Sequence, residues 1–259
     1  MECYFSTDSN IRMKKVIPLL LLLILCLGCK REYKLTFESS QLNHKACPNC
    51  PKIKIAVPHA LDETQVAMAI NRSISEELIY TLKFEGAEDV SSIEEAMQSF
   101  TSSYQDLQQK FGDEATAWEA EIDGEVRYED KNFITIQLNS YVFTGGAHGY
   151  GSTTFLNFEK EAGNELDNPQ LFSNYEGFEA LAQELFREKE GIPSEQNINA
   201  TGFMFNGDQF HLSENIGYTE AGIQLLYNQY EVASYADGPI MLTIPFEKAN
   251  PYLKFKVAP

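Results

Sequence analysis

The chain has 259 residues, 20 basic against 38 acidic side chains, a formal charge of −18 and 43% hydrophobic residues. That length holds one large or two small domains with a buried core, and 17 Phe and 13 Tyr exclude disorder over the whole chain. The acidic balance leaves no basic stripe for nucleic acid and disfavours broad adsorption to anionic lipid.

The first element is a leader. Met13-Lys14-Lys15 precedes an uncharged apolar run from Val16 to Gly28 with five leucines at 19–23. The run is too short for a membrane span, which takes about 20 residues, and its basic flank predicts a secretory signal peptide over residues 1–28. Glu2 and Asp8 are unsuited to the basic start of a signal, so Met13 is the expected true start. The end of the run, Leu25-Cys26-Leu27-Gly28-Cys29, resembles the lipobox of bacterial lipoproteins, although Cys26 stands where an aliphatic residue is usual. The resemblance implies cleavage before Cys29, a diacylglycerol on its thiol, and residues 29–34 as a lipidated tether to the membrane. Lys30-Arg31 is not an acidic surface-export signal, which points to a periplasm-facing lipoprotein of the cell envelope.

Cys47 and Cys50 remain, in Ala46-Cys47-Pro48-Asn49-Cys50-Pro51. Such a pair serves as a redox couple, half a zinc site or a local disulfide. A redox cysteine wants a helix N-terminus, whereas Pro51 and alternating Ile53, Ile55 and Val57 read as a strand. Zinc needs two more ligands, and His44 supplies at most one, so an oxidising envelope favours the Cys47–Cys50 disulfide.

Strands are expected at Leu35–Ser39 and Ile53–Val57. Asp62 to Gln65 has the form of a capping box, and Val66, Ile70, Ile74, Leu78 and Leu82 give a helix to about Lys83, broken by Gly86. Ser92 with Glu95 starts a second helix, with Met97, Phe100, Tyr104, Leu107 and Phe111 on one face and Gly112 after it. From Thr116 the period becomes two: Trp118, Ala120 and Ile122 alternate with Glu119, Glu121 and Asp123. A turn at Asp130–Asn132 then leads into a strand over 133–143. Ser173 to Glu176 caps a third helix with Phe178, Leu181, Ala182, Leu185 and Phe186 inward, ended by Gly191-Ile192-Pro193. Further strands are expected at Phe203–Phe205 and Phe210–Leu212 around an Asn206-Gly207 turn, at Ile223–Tyr230 and at Ile240–Pro245. The whole is an α+β fold of two small units, each antiparallel strands packed with helices.

Phe143-Thr144-Gly145-Gly146-Ala147-His148-Gly149, then Tyr227-Asn228-Gln229-Tyr230-Glu231-Val232-Ala233-Ser234-Tyr235-Ala236-Asp237-Gly238-Pro239, resemble a two-part extracytoplasmic module. It occurs in the lysozyme-sensing anti-sigma factor (RsiV-like), beside a peptidoglycan deacetylase domain (PdaC-like), and in Bacteroidetes-type lipoproteins. The resemblance covers about residues 35–257 and implies a PdaC-like α+β domain over 35–140 and an RsiV-like α+β domain over 141–259. Deacetylase chemistry belongs to a separate metal-dependent domain in that relative. The resemblance therefore implies recognition outside the membrane, of a muramidase or another cell-wall component.

No nucleophile elbow, zincin, Walker or dinucleotide motif is present, and His44, His59, His148 and His211 occur singly. No catalytic residue, metal or cofactor is expected. The candidate binding residues are His148 with Gly145 and Gly146, and Tyr230, Tyr235 and Asp237. In a strand Tyr230 and Glu231 face opposite ways, so one surface requires the chain to bend near Ala236. Glu119, Glu121 and Asp123 offer an acidic dock for a basic protein such as lysozyme, or form an ordinary solvated face. The alternative to a binding protein is a hydrolase of wall glycan or peptide that uses His148 with Asp237 or Glu231, which requires the imidazole and a carboxylate in hydrogen-bond range.

Overall fold

The computed structural model describes residues 34–43, 47, 49–83, 90–112 and 116–257. The expected signal peptide, the start at Met13, the lipid site Cys29 and tether residues 30–33 lie outside the described residues. From Lys34 onward the chain forms one compact unit. Its elements are β1 (Phe37–Asn43), β2 (Lys52–Ala60), α1 (Gln65–Leu82), α2 (Ile93–Phe111), β3 (Glu119–Glu129), β4 (Phe133–Phe143) and β5 (Tyr150–Glu159). There follow α3 (Tyr175–Glu190), β6 (Asn215–Thr219), β7 (Gly222–Tyr227), β8 (Ile240–Ile244) and the single turn α4 (Phe246–Ala249). This is an α+β fold of a five-stranded sheet, order β1-β2-β3-β4-β5, and a three-stranded sheet, order β6-β7-β8.

All neighbouring strands are antiparallel except β2 and β3. A parallel pair needs a long crossover, and α1 with α2 supplies it. Thr64 caps α1 by accepting from the Ala67 N–H at 3.3 Å, and Ser92 caps α2 by accepting from Glu95 N–H at 3.2 Å. The fourfold stripe Val66, Ile70, Ile74, Leu78 and Leu82 is buried against Ile53, Ile55, Ala120, Ile122, Ile134 and Ile136, which alternate along the sheet. Asp130 turns the β3–β4 hairpin by accepting from Asn132 and Phe133 N–H at 2.7 and 2.9 Å.

The second core contains α3, whose cap Asn174 accepts from Gly177 N–H at 3.0 Å and whose C-terminus closes on Gly191 in the left-handed conformation. Tyr128 and Phe133, from the β3–β4 hairpin, belong to this core too. A division at residue 140 thus falls inside β4, and β5, beyond it, completes the first sheet.

Two strand expectations fail. Residues 203–205 and 210–212 are not strands, and Asn206–Asp208 is a short 3-10 turn; Phe205, Phe210 and Leu212 are buried as an aromatic plug beside Phe186 and Tyr227. Their alternation reflects burial in a loop rather than sheet pairing. The strand at 223 ends at Tyr227, because Tyr230 takes φ 69°, which no strand tolerates.

The two sheets meet at β6, which lies against β3, β4 and β5. On the face of the first sheet away from the helices, buried Thr135 and Asn157 stand side by side and Thr135 Oγ1 donates to Asn157 Oδ1 at 2.8 Å. Asn157 Nδ2 donates to Ile216 O at 2.7 Å, and Tyr218 N–H donates to Thr135 Oγ1 at 3.2 Å. Ile216 and Tyr218 share one side of β6, so the two side chains serve the backbone of that edge where no further strand pairs. Gly217, between them, permits the approach: a Cβ there would lie 2.6 Å from the Phe155 ring. Gly217→Ala should cost about 1–3 kcal/mol by overpacking. Asn157→Leu should cost about 3 kcal/mol by orphaning a buried carbonyl and hydroxyl. Urea unfolding of both variants checks this; losses below about 0.5 kcal/mol in both would show that β6 is not held this way.

Candidate functional site

The link between β4 and β5 turns at Gly145 (φ 99°) and Gly146 (φ 89°), a conformation that glycine alone adopts readily. It places His148 at the exposed tip of the hairpin. The His148 ring stacks on Tyr235, with centroids 3.7 Å apart and planes 18° from parallel. Tyr235 donates its hydroxyl to Gly149 O at 3.2 Å, which ties the 228–237 segment to the hairpin. Tyr230 lies alongside, its ring centroid 5.6 Å from that of Tyr235 and its hydroxyl 3.5 Å from His148 Nε2, a weak contact. Tyr230 is 55% exposed, and its left-handed backbone is costly for a bulky residue.

The structure therefore brings His148, Tyr230 and Tyr235 together, with Gly145 and Gly146 as the turn beneath them. Asp237 is not part of the group. It accepts from the Ser234 hydroxyl and N–H at 2.6 and 3.1 Å, capping the turn Tyr235–Asp237. It also lines a separate cavity of about 380 Å3 with Glu190, Phe203 and Ile240 that does not include His148. The required bend begins at Asn228, well before Ala236.

The hydrolase reading needed a carboxylate at His148. His148 Nδ1 instead faces Gly149 O at 3.3 Å, and among the described residues no carboxylate is within hydrogen-bond or ion-pair reach of the ring. Glu231 turns inward and accepts from Asn228 N–H at 2.7 Å. Among the described residues, no three His, Cys, Asp or Glu side chains come together to hold a metal ion.

Cys47 and Cys50 are bonded as a disulfide at the end of the β1–β2 hairpin, with Cα atoms 5.4 Å apart. Gln105 of α2 donates to Cys50 Sγ at 3.7 Å. In the acidic row, Lys52 pairs with both Glu119 and Glu121, and Asp123 accepts from Asn139 Nδ2 at 3.0 Å. The row is partly neutralised, in keeping with a solvated face.

Sequence reasoning missed Asn228. Its side-chain amide pairs in both senses with the free edge of β5, accepting from Thr153 N–H at 2.8 Å and donating to Thr153 O at 3.0 Å. An amide residue just past a strand end was the available signal.

Residues 45–150 match the family described as "Deacetylase PdaC", and residues 167–247 match "Protein of unknown function (DUF3298)". The chain carries the two-part PdaC–DUF3298 arrangement. A solved DUF3298 family protein of Bacteroides fragilis is similar over 88% of this chain and 96% of its own, at 22% identity and a TM-score of 0.67. One of Pseudomonas aeruginosa is similar over 86% and 96%, at 21% identity and a TM-score of 0.62. At these identities the likeness is one of fold. No curated protein matches the sequence. No helix among the described residues is long and apolar enough to cross a membrane.

Glu231 gives a pH prediction. Burial pushes its carboxyl above the usual carboxylate range, opposed by the backbone N–H groups of Asn228 and Glu214. The folded state then holds a proton that the unfolded state releases, so this group's contribution to stability is lost as pH rises through that window. Glu231→Gln should match wild type near pH 4 and be increasingly more stable towards about pH 7. Thermal melts across that range check this, and a difference constant with pH would contradict it.

Proposed function

We propose that the PdaC–DUF3298 chain is a lipid-anchored, non-catalytic binding protein of the cell envelope, and that it recognises a muramidase or another cell-wall component. The family descriptions support the coarser part, an extracytoplasmic protein related to the cell wall. The lipobox-like Leu25–Cys29 string supports anchoring at Cys29 on the periplasm-facing side.

The observation that carries the binding reading is the exposed His148–Tyr230–Tyr235 group with Tyr230 at positive φ. Tyrosine gives a large, stiff contact surface at low entropic cost, and backbone strain persists where the surroundings over-determine it. The hairpin glycines and the Tyr235–Gly149 bond hold the three rings in place before any partner arrives. The charge of −18 speeds encounter with a basic partner, so the acidic surface governs approach and the aromatic group governs retention.

The test uses the full chain purified from the membrane fraction, with immobilised hen lysozyme as the basic muramidase. Saturable binding is expected, weakened about tenfold or more by Tyr230→Ala or Tyr235→Ala, as for the centre of an interface. Neutralising Glu119, Glu121 and Asp123 together should slow association without changing dissociation. Binding that ignores both tyrosine variants, or no binding at moderate salt, would count against the reading.

A further inference from the structure

The second sheet has one edge without a partner. Tyr218 N–H and Ile216 O both point from β6 to the first sheet, so Gly217 between them bonds to β7. In an antiparallel sheet the N–H and C=O of one residue point the same way, and the direction alternates along the strand. Gln224, opposite Gly217, therefore faces β6, while Ile223, Leu225 and Tyr227 face β8 and meet Ile244, Leu242 and Ile240. Met241 and Thr243 are left with N–H and C=O aimed away from the sheet, and among the described residues no strand pairs there. The outer backbone of β6 and β5 is served by side chains. β8 carries none of the usual protections of an edge, with no charge, proline or bulge within Ile240–Ile244.

A groove follows this edge. One cavity of about 580 Å3 lies between residues 239–243 and Lys189 and Glu190, in the last turn of α3. A second, of about 380 Å3, shares Glu190 and Ile240 with it and is lined further by Phe203, Ala233 and Asp237. The two carboxylates of this second cavity face no base in its lining. Glu190 pairs with Lys189 through Oε1, and Asp237 Oδ2 is taken by Ser234; among the described residues nothing else engages either carboxylate. Phe203 and Ile240 give an apolar wall for the methylene stem of a lysine or arginine whose charged head reaches the carboxylates. The chain's charge of −18 disfavours a second copy of itself at this edge and favours a basic partner.

We infer that the β8 edge takes up an extended peptide as a fourth strand, with a lysine or arginine side chain of that peptide in the Glu190–Asp237 cavity. Main-chain bonds to Met241 and Thr243 supply affinity, and the cavity selects the basic side chain. This goes beyond the binding reading above and does not rest on it, since His148, Tyr230 and Tyr235 line neither cavity.

The test titrates the full chain, by fluorescence polarisation, into capped hexapeptides of alternating Thr and Val that carry Lys or Arg at one end or the other. At least one should bind, and its counterpart with Glu in place of the basic residue should bind about tenfold more weakly or worse. Two forms of the binding peptide, N-methylated on one or the other set of alternate amides, should differ. One loses binding and the other keeps it, because only every second N–H faces β8. Met241→Pro removes an outward N–H without touching the β7 ladder and should weaken binding about tenfold or more. The N-methylated pair makes the same test with the protein unaltered. Glu190→Gln with Asp237→Asn should abolish the preference for a basic residue over Glu. No binding by any basic peptide, equal binding of the two N-methylated forms, indifference to Met241→Pro, or a preference that survives the carboxylate variants would overturn the inference. So would a concentration-dependent dimer abolished by Met241→Pro, which would assign the edge to a second copy. Tyr230→Ala should weaken lysozyme binding and leave peptide binding unchanged, so the two readings fail separately.

Discussion

The fold depends on two side chains that stand in for a strand. Thr135 and Asn157, buried in the first sheet, take up the outward backbone of β6 and join two sheets that share no ladder. Buried backbone left unpaired is costly, so this contact decides where the second sheet sits. Gly217 sets how closely, because any side chain there would strike Phe155. Once β6 is seated, β7 follows it and ends at Tyr227, which delivers Asn228 to the free edge of β5. There the same device recurs, with an amide in place of a backbone partner. The aromatic group lies at this second seam.

The same logic runs through the other non-local bonds. Glu129 and Lys160 form an almost fully buried ion pair, and Glu129 also accepts from Leu35 N–H at 2.9 Å, which ties the start of the unit to its middle. A buried pair of this kind contributes little net stability, but losing one partner strands the other, so it specifies position. The exposed charges act differently: Lys52 with Glu119 and Glu121 is solvated, and its value lies in solubility and encounter.

The helices were legible because their signals are local. The Ser92 cap and the fourfold stripes are read within a single turn or two, and the alternation of Trp118, Ala120 and Ile122 is equally short-ranged. The boxes expected to open at Asp62 and Ser173 instead give way to caps at Thr64 and Asn174, within the same four-residue strings. The site residues His148, Tyr230 and Tyr235 were legible as a composition of glycine and tyrosine, though not as a geometry. What escaped the sequence was every feature set by distant partners. Asn157 meets Ile216 across 59 residues, Asn228 meets Thr153 across 75 and Tyr218 meets Thr135 across 83, with no pattern in the intervening chain to announce them. Asp237 stands apart from the aromatic group because its carboxylate accepts from Ser234, so Asp-Gly-Pro here shapes a turn. Phe203 to Leu212 misled because aromatic residues filling a core from a loop alternate as a strand does.

That β6 and the first sheet open together, never separately, is tested most directly by native-state hydrogen exchange at Tyr218 N–H and Thr153 N–H. Both protons are held only by side chains across the seams, Thr135 Oγ1 and Asn228 Oδ1. The account predicts that Tyr218 exchanges with the free energy of global unfolding, like the amides of β4, and that Thr153 follows it. Rapid exchange of Tyr218 while β4 stays protected would show the second sheet detaching on its own and would contradict it.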